Sequence, residues 1–268
     1  MSDKVRISAV VQTYNAEKHL EKCLKALEPF DEILVVDMES TDATRDIAGR
    51  VGARVVVKER GEHRMVEAYR DFAIHEALYD WVLVVDADEI VPRALAEYLY
   101  AEIERDPSPR AIMIPIKNYF MGRWMHAYYP DYILRFFNRV GASWPYEIHS
   151  RPTHQGPKVY IPASRTDLAY IHLSNESVGQ TFSKMNTYTD REKSRRAASY
   201  SPVKLIYDPP YRFFKSYVLK GGFRDGWPGF IHAVHDAVYR FSILAKIQED
   251  REACKSDKDI DRDVAANS

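Results

Sequence analysis

Trp81-Val82-Leu83-Val84-Val85-Asp86-Ala87-Asp88-Glu89 runs from a wholly apolar stretch into three carboxylates within four positions. The apolar part has the length and β-branched content of a buried strand. Buried strands of open α/β sheets present ligands at their carboxyl ends. Asp86 and Asp88 there set two hard oxygen donors where a divalent cation and a phosphate group can meet. The same carboxylates also suit the start of a helix from Pro92, because acids and proline favour a first turn. An Asp-x-Asp is too short to decide between these readings, so the rest of the chain has to.

Upstream of Pro92, strand and helix alternate. Ile7 to Val11 reads as a strand, followed by Thr13-Tyr14-Asn15. Ala16 to Leu27 reads as a helix whose Leu20, Cys23, Leu24 and Leu27 recur on one face. Ile33 to Val36 is a second strand ending at Asp37, and Ser40 or Thr41 is expected to cap a helix to Val51. A third strand (Val55 to Val57) and a helix (Glu62 to Leu78) lead into Trp81. Such alternation predicts a parallel sheet with helices on its faces. Thr13-Tyr14-Asn15, Asp37 and Asp86-Ala87-Asp88 then fall at one sheet edge and can line one cleft.

Downstream the pattern changes. A helix to Glu104 and an Asp106-Pro107-Ser108-Pro109 turn precede the short apolar runs Ala111 to Ile116 and Tyr132 to Phe137. From Ser174 the chain reads helical, with breaks at Pro202 and Pro209-Pro210. The domain reading is a catalytic α/β unit over 1–173, a helical extension over 174–250, and a polar, disordered tail over 251–268.

A hydrophobic content of 46% with 29% charged residues describes a soluble globular chain. The net charge of −1 gives it no general preference for polyanions, so no nucleic-acid partner is expected. Its two cysteines, Cys23 and Cys254, have no metal-ligand spacing and fit a reducing compartment. With no apolar run long enough to span a bilayer and no signal peptide, the expected location is cytoplasmic.

Three segments resemble the signatures of family 2 glycosyltransferases of the GT-A fold. They are Val10 to Asn15, Val35-Val36-Asp37-Met38-Glu39-Ser40-Thr41-Asp42-Ala43-Thr44, and Val84 to Glu89. This likeness covers roughly residues 5 to 150. A closer similarity, to the lipopolysaccharide-core β-glucosyltransferase branch, shows in Asp131 to Phe137, Glu147-Ile148-His149, Lys184 to Tyr188 and Gly221 to Gly229. The fold implied is a Rossmann-like, mostly parallel sheet flanked by helices, with a C-terminal helical extension.

The resemblance implies roles. A sugar nucleotide, UDP-glucose by preference, would give up its sugar with the nucleoside diphosphate as leaving group, its charge stabilised by Mn²⁺ or Mg²⁺ as a Lewis acid. Asp88 would bind the metal directly, and Asp86 would reach the ribose or the metal shell. Asp37, with Thr13, Tyr14 and Asn15, would hold the nucleoside. Inverting transfer needs a base opposite the leaving group. Asp131 stands where the family carries that carboxylate, with Glu147 in reserve, though a cap or an ion pair with Arg135 also explains Asp131. His149 would be a third metal ligand, a diphosphate contact or a structural histidine. His172 has the same alternatives, and Arg64 and Arg70 could reach phosphate or face solvent.

Three departures from the family pattern stand out. Met38-Glu39 replaces small residues, Asp71 stands where Asn is usual, and Ser150 stands where an acid is usual.

Between Arg191 and Arg224 there are nine Lys or Arg against two acids, interleaved with aromatics over 204–230. Such a segment suits the anionic inner face of the plasma membrane, a packed core with a solvated basic side, or an oligomer interface. A glycolipid or saccharide acceptor, such as a lipopolysaccharide inner core, would go with the first. The rival function is a non-catalytic nucleotide-sugar or carbohydrate-binding scaffold. A nucleotidyltransferase would show a glycine-rich phosphate loop after the first strand, which Thr13-Tyr14-Asn15-Ala16-Glu17 lacks.

Overall fold

The computed structural model describes residues 5–61, 69–145, 150–173 and 177–266, with side chains to 253. The chain divides into two compact units, residues 1–119 with 129–174, and residues 120–128 with 175–268.

The first unit begins with β1 (Ile7–Thr13), α1 (Glu17–Lys25), β2 (Glu32–Asp37), α2 (Thr44–Val51), β3 (Arg54–Val57), α3 (Arg70–Glu76) and β4 (Trp81–Asp86). Then come β5 (Glu89–Ile90), α4 (Arg93–Arg105) and β6 (Ala111–Phe120). The short β7 (Arg123–Trp124) belongs to the second unit, and the first resumes with β8 (Asp131–Asn138), β9 (Lys158–Tyr160) and β10 (Tyr170–His172).

The sheet order is β3-β2-β1-β4-β8-β6-β10-β5, with β9 beside β6. The first four strands are parallel, as the alternation predicts, and β8 enters antiparallel to both β4 and β6. Because β8 runs backwards, its first residue lies at the edge where the parallel strands end.

The period of two sorts side chains onto the two faces. Ala9, Val11, Val35, Leu83 and Val85 pack under Leu20 and Leu24 of α1, Ile47 of α2 and Leu95 and Leu99 of α4. Val10, Leu34, Val36, Val82 and Val84 pack under Ala73 and Ile74 of α3, with Trp144.

Neither Ser40 nor Thr41 caps α2. The N-cap is Ala43, without a side-chain cap; the Asp42 carboxylate just before it accepts from the Thr44 N–H (3.0 Å) and, at the other oxygen, from the Glu17 N–H that opens α1 (3.2 Å). The helix ends on Gly52 with φ of 81°, a left-handed stop that glycine reaches without a Cβ clash. The helix expected from Glu62 is described from Arg70, and Arg64 lies outside the described residues.

The second unit holds α5 (Val178–Arg196), α6 (Lys204–Phe214), a π-helical turn (Lys215–Leu219) and α7 (Gly226–Ala266). A reciprocal capping box between Ser177 and Gln180 starts α5. Pro209 and Pro210 lie inside α6 rather than ending it. Tertiary packing holds the helix through them: Asp208 accepts from Arg240 of α7 at 2.6 Å, and Leu205 packs on a core of Tyr200, Ile243, Leu244 and Ile247.

The segment Gly221 to Gly229 is architectural. A Cβ on Gly229 would sit 1.9 Å from the Gly222 carbonyl oxygen, so only glycine lets these backbones cross. Asp225, buried, accepts from the backbone N–H groups of His126 (3.0 Å) and Ala127 (3.1 Å).

Candidate functional site

Register brings the strand ends together: Thr13 lies opposite Asp37, and Gln12 opposite Asp86. Asp37 is fully buried and acts as a hub. It accepts from the Thr13 hydroxyl (2.8 Å), the Ser40 N–H (2.9 Å) and the Ser40 hydroxyl (2.5 Å). Asn15 takes φ of 48° and accepts from the Thr41 N–H at 2.9 Å. Glu39 adopts φ of 56°, the region glycine favours, so the turn is kept with a larger residue in it. The Arg60 guanidinium lies 3.6 Å from the Tyr14 ring centroid.

The acids after β4 separate into two environments. Asp86 accepts from Arg70 (3.1 Å) and from both terminal nitrogens of Arg135, a forked pair. Burial opposes ionisation of Asp86, but Arg135 and Arg70 outweigh it and hold the carboxyl below its ordinary range. Any further ligand of Asp86 would share these oxygens with guanidinium groups. Glu89 is buried and accepts from the Asp86 N–H at 2.8 Å. Burial, and then the neighbouring Asp86 charge, push its carboxyl up to about 7.

Asp88 is half-buried. Its Oδ2 lies 3.3 Å from His172 Nε2 on β10. His172 Nδ1 lies 3.0 Å from the Asn118 side-chain oxygen on β6, and the Asn118 amide donates to Asp131 at 3.2 Å. Asp88, His172, Asn118 and Asp131 therefore form a continuous polar chain along one sheet edge. Strand register explains it: His172 lies opposite Asn118, and Ile116 lies opposite Asp131. Asp131 opens β8, exposed, with no ion pair to Arg135, which is committed to Asp86.

Among the described residues no three His, Cys, Asp or Glu side chains form a complete metal cage. Asp88 and His172 supply one carboxylate oxygen and one imidazole nitrogen. A two-donor set fits a cation that takes its other ligands from a diphosphate and water. Glu147 and His149 lie outside the described residues.

Asp71 accepts from the Trp144 N–H at 2.6 Å, anchoring α3 to the chain after β8. Three residues gain importance that their sequence did not announce. Arg135 had a signal, since a cation inside an apolar strand requires a buried acid. Asn118 had none, because its role depends on three strands meeting. Gln12 is buried, and neither polar atom of its amide has a partner among the described residues. Unsatisfied buried amides are rare and call for a cause.

Residues 8–154, more than half of the chain, match the model of Glycosyl transferase family 2. The chain belongs to that family and is a glycosyltransferase with the GT-A fold. It is similar to the lipopolysaccharide core biosynthesis glycosyltransferase LpsC of Rhizobium meliloti (strain 1021), 28% identical over 97% of this chain and 98% of that protein. It is also similar to the uncharacterized glycosyltransferase RT0209 of Rickettsia typhi, 29% identical over 91% of this chain and 87% of that one. Among solved structures, residues 1–349 of Staphylococcus aureus TarS give a TM-score of 0.48 at 15% identity, covering 91% of this chain and 92% of that one. The likeness to the lipopolysaccharide-core branch is thus borne out at the level of a glycosyltransferase.

Proposed function

We propose that the protein is a metal-dependent, inverting hexosyltransferase. It takes a nucleotide-diphosphate sugar, UDP-glucose by preference, and glycosylates a hydroxyl of a glycolipid or saccharide such as a lipopolysaccharide inner core. The observation supporting this reading is the polar chain Asp88–His172–Asn118–Asp131, which brings a carboxylate–imidazole pair and an exposed carboxylate to one edge.

Asp88 and His172 would hold Mn²⁺ or Mg²⁺, which when bound stabilises the charge of the departing diphosphate. Asn118 fixes two groups at once: its amide nitrogen holds one Asp131 oxygen, and its carbonyl oxygen orients the His172 ring. The second Asp131 oxygen is left to take the acceptor's hydroxyl proton. Glu147 is the alternative base. Arg135 and Arg70 hold Asp86 ionised at the end of β4, beside the cation site. Thr13, Tyr14, Asn15 and Asp37 form the nucleoside end, with Asp37 shaping the β1 and β2 turns from within.

The test is calorimetric titration of UDP into the protein, with Mn²⁺ and with EDTA, for wild type and Asp88→Ala. Binding that requires the metal and is lost in Asp88→Ala is expected. Metal-independent binding, or unchanged binding by Asp88→Ala, would remove the cation site from Asp88. Absence of binding by UDP, GDP and dTDP alike would overturn the donor reading.

A further inference from the structure

The second unit carries an exposed apolar face that its own core does not use. Val203, Ile206, Tyr207, Tyr211, Phe214 and Val218 recur at helical spacing along α6 and the π-turn, and all six are exposed. The surface continues through Leu219, Phe223 and Trp227, with Ile206 at 78% and Trp227 at 77% exposure. The inward aromatics are different residues. Phe213 and Tyr217, both half-buried, stack at 5.4 Å, while Phe230, edge-on to both, is itself exposed and adds to the outer surface. The aromatic segment is therefore neither all core nor all surface, because one side of the helix builds the unit and the other is left over. Contiguous exposed apolar surface of this kind marks a docking site.

Charge identifies the occupant. Between Val203 and Phe230 the cations are Lys204, Arg212, Lys215, Lys220 and Arg224, and the acids are Asp208 and Asp225. Both acids are turned inward, Asp208 onto Arg240 and Asp225 onto the His126 and Ala127 amides. The outward charge of the segment is thus wholly positive. A symmetric pairing of two copies through this face would set five cations against five. Tyrosine, tryptophan and phenylalanine among lysine and arginine suit the headgroup layer of an anionic bilayer. Pro209 and Pro210 remove two helix donors and leave the carbonyls of Leu205 and Ile206 without their ladder partners, which favours headgroup depth over the hydrocarbon. No helix among the described residues is long and apolar enough to cross a membrane.

We infer that α6, the π-turn and the start of α7 form a face that docks on an anionic lipid surface. It acts by laying Ile206, Phe214, Leu219 and Trp227 into the interface while Lys215, Lys220 and Arg224 meet lipid phosphates. This inference does not depend on the donor, metal or base assignments, and its test uses neither nucleotide nor acceptor.

The full chain is centrifuged with phosphatidylcholine vesicles, and with vesicles containing roughly one quarter phosphatidylglycerol. Association with the anionic vesicles alone is expected, weakening as salt is raised. Lys220→Glu with Arg224→Glu should weaken it by about tenfold or more. Trp227→Phe should lose most of the fluorescence blue shift that vesicles produce. All three positions are exposed, and circular dichroism and thermal unfolding verify that the variants are folded. Absence of association with anionic vesicles, or equal association by the charge-reversed protein, would overturn the inference. So would a concentration-dependent dimer, abolished by the same substitutions, in a protein that ignores lipid.

Discussion

Glu89→Gln should stabilise this protein at alkaline pH, although it removes a hydrogen-bonded carboxylate next to an arginine. The wild-type carboxyl is raised from an ordinary 4.5 to about 7, first by burial and then by the charge of Asp86. The difference corresponds to about 3 kcal/mol against the ionised form in the fold. The sign follows from proton binding. The folded state holds the Glu89 proton more tightly than the unfolded chain, so wild type gains stability as pH falls from about 7 towards 4.5. Above about 7 the full penalty is present.

Glutamine resembles the protonated acid and keeps an oxygen for the Asp86 N–H. Its NH₂ would face Arg135, whose guanidinium lies 3.8 Å from the other Glu89 oxygen, at a cost of about 1 kcal/mol. The net gain near pH 8 is then about 2 kcal/mol, which for a unit of this size is about 4–8 °C in Tm. Near pH 5 the advantage should vanish. Thermal and urea unfolding in EDTA, at both pH values, reads the difference. A Glu89→Gln protein less stable than wild type near pH 8, or a stability difference independent of pH, would refute the reasoning.

Other substitutions separate architecture from chemistry. Arg135→Met strands Asp86 and Glu89 together without their shared cation and should cost about 3–5 kcal/mol in urea unfolding. Gly229→Ala drives a methyl group into the Gly222 carbonyl and should cost about 3 kcal/mol or more, read as early loss of helical signal on heating. Gln12→Leu should leave the Tm unchanged or higher while weakening metal-supported UDP binding by about tenfold. Unchanged binding would make that amide a purely structural defect. Asn118→Ala cuts the link between His172 and Asp131 and should lower kcat by about tenfold or more with the fold intact. Equal kcat would separate the two groups.

The parallel half of the sheet was legible because its strands are buried on both faces and its helices carry one apolar stripe each. The same logic placed Thr13, Asp37 and Asp86 on one edge, since parallel strands end together. Their individual partners were less legible. Nothing local says that Asp37 turns inward to Thr13 and Ser40, or that Asp86 is taken by Arg135 from a strand 49 residues away. The partner of Asp71 was equally hidden, because it is the backbone of Trp144, which α3 meets only in the fold. Pro209-Pro210 reads as a break from propensity, yet α6 persists because packing against α7 outweighs two lost hydrogen bonds. The outward and inward aromatics of that helix could be told apart only once a core existed to face.

The route of the chain between Asn118 and Asp131 has a mechanical consequence. The backbone follows β6 through Asn118 to Phe120, contributes residues 120–128 to the second unit, where Asp225 grips two of its amides, and opens β8 of the first unit at Asp131. The two ends of that excursion are the two ends of the Asn118–Asp131 hydrogen bond. The segment is a covalent loop whose two flanks are joined by that hydrogen bond, so a residue inserted into it bears on both partners of the bond.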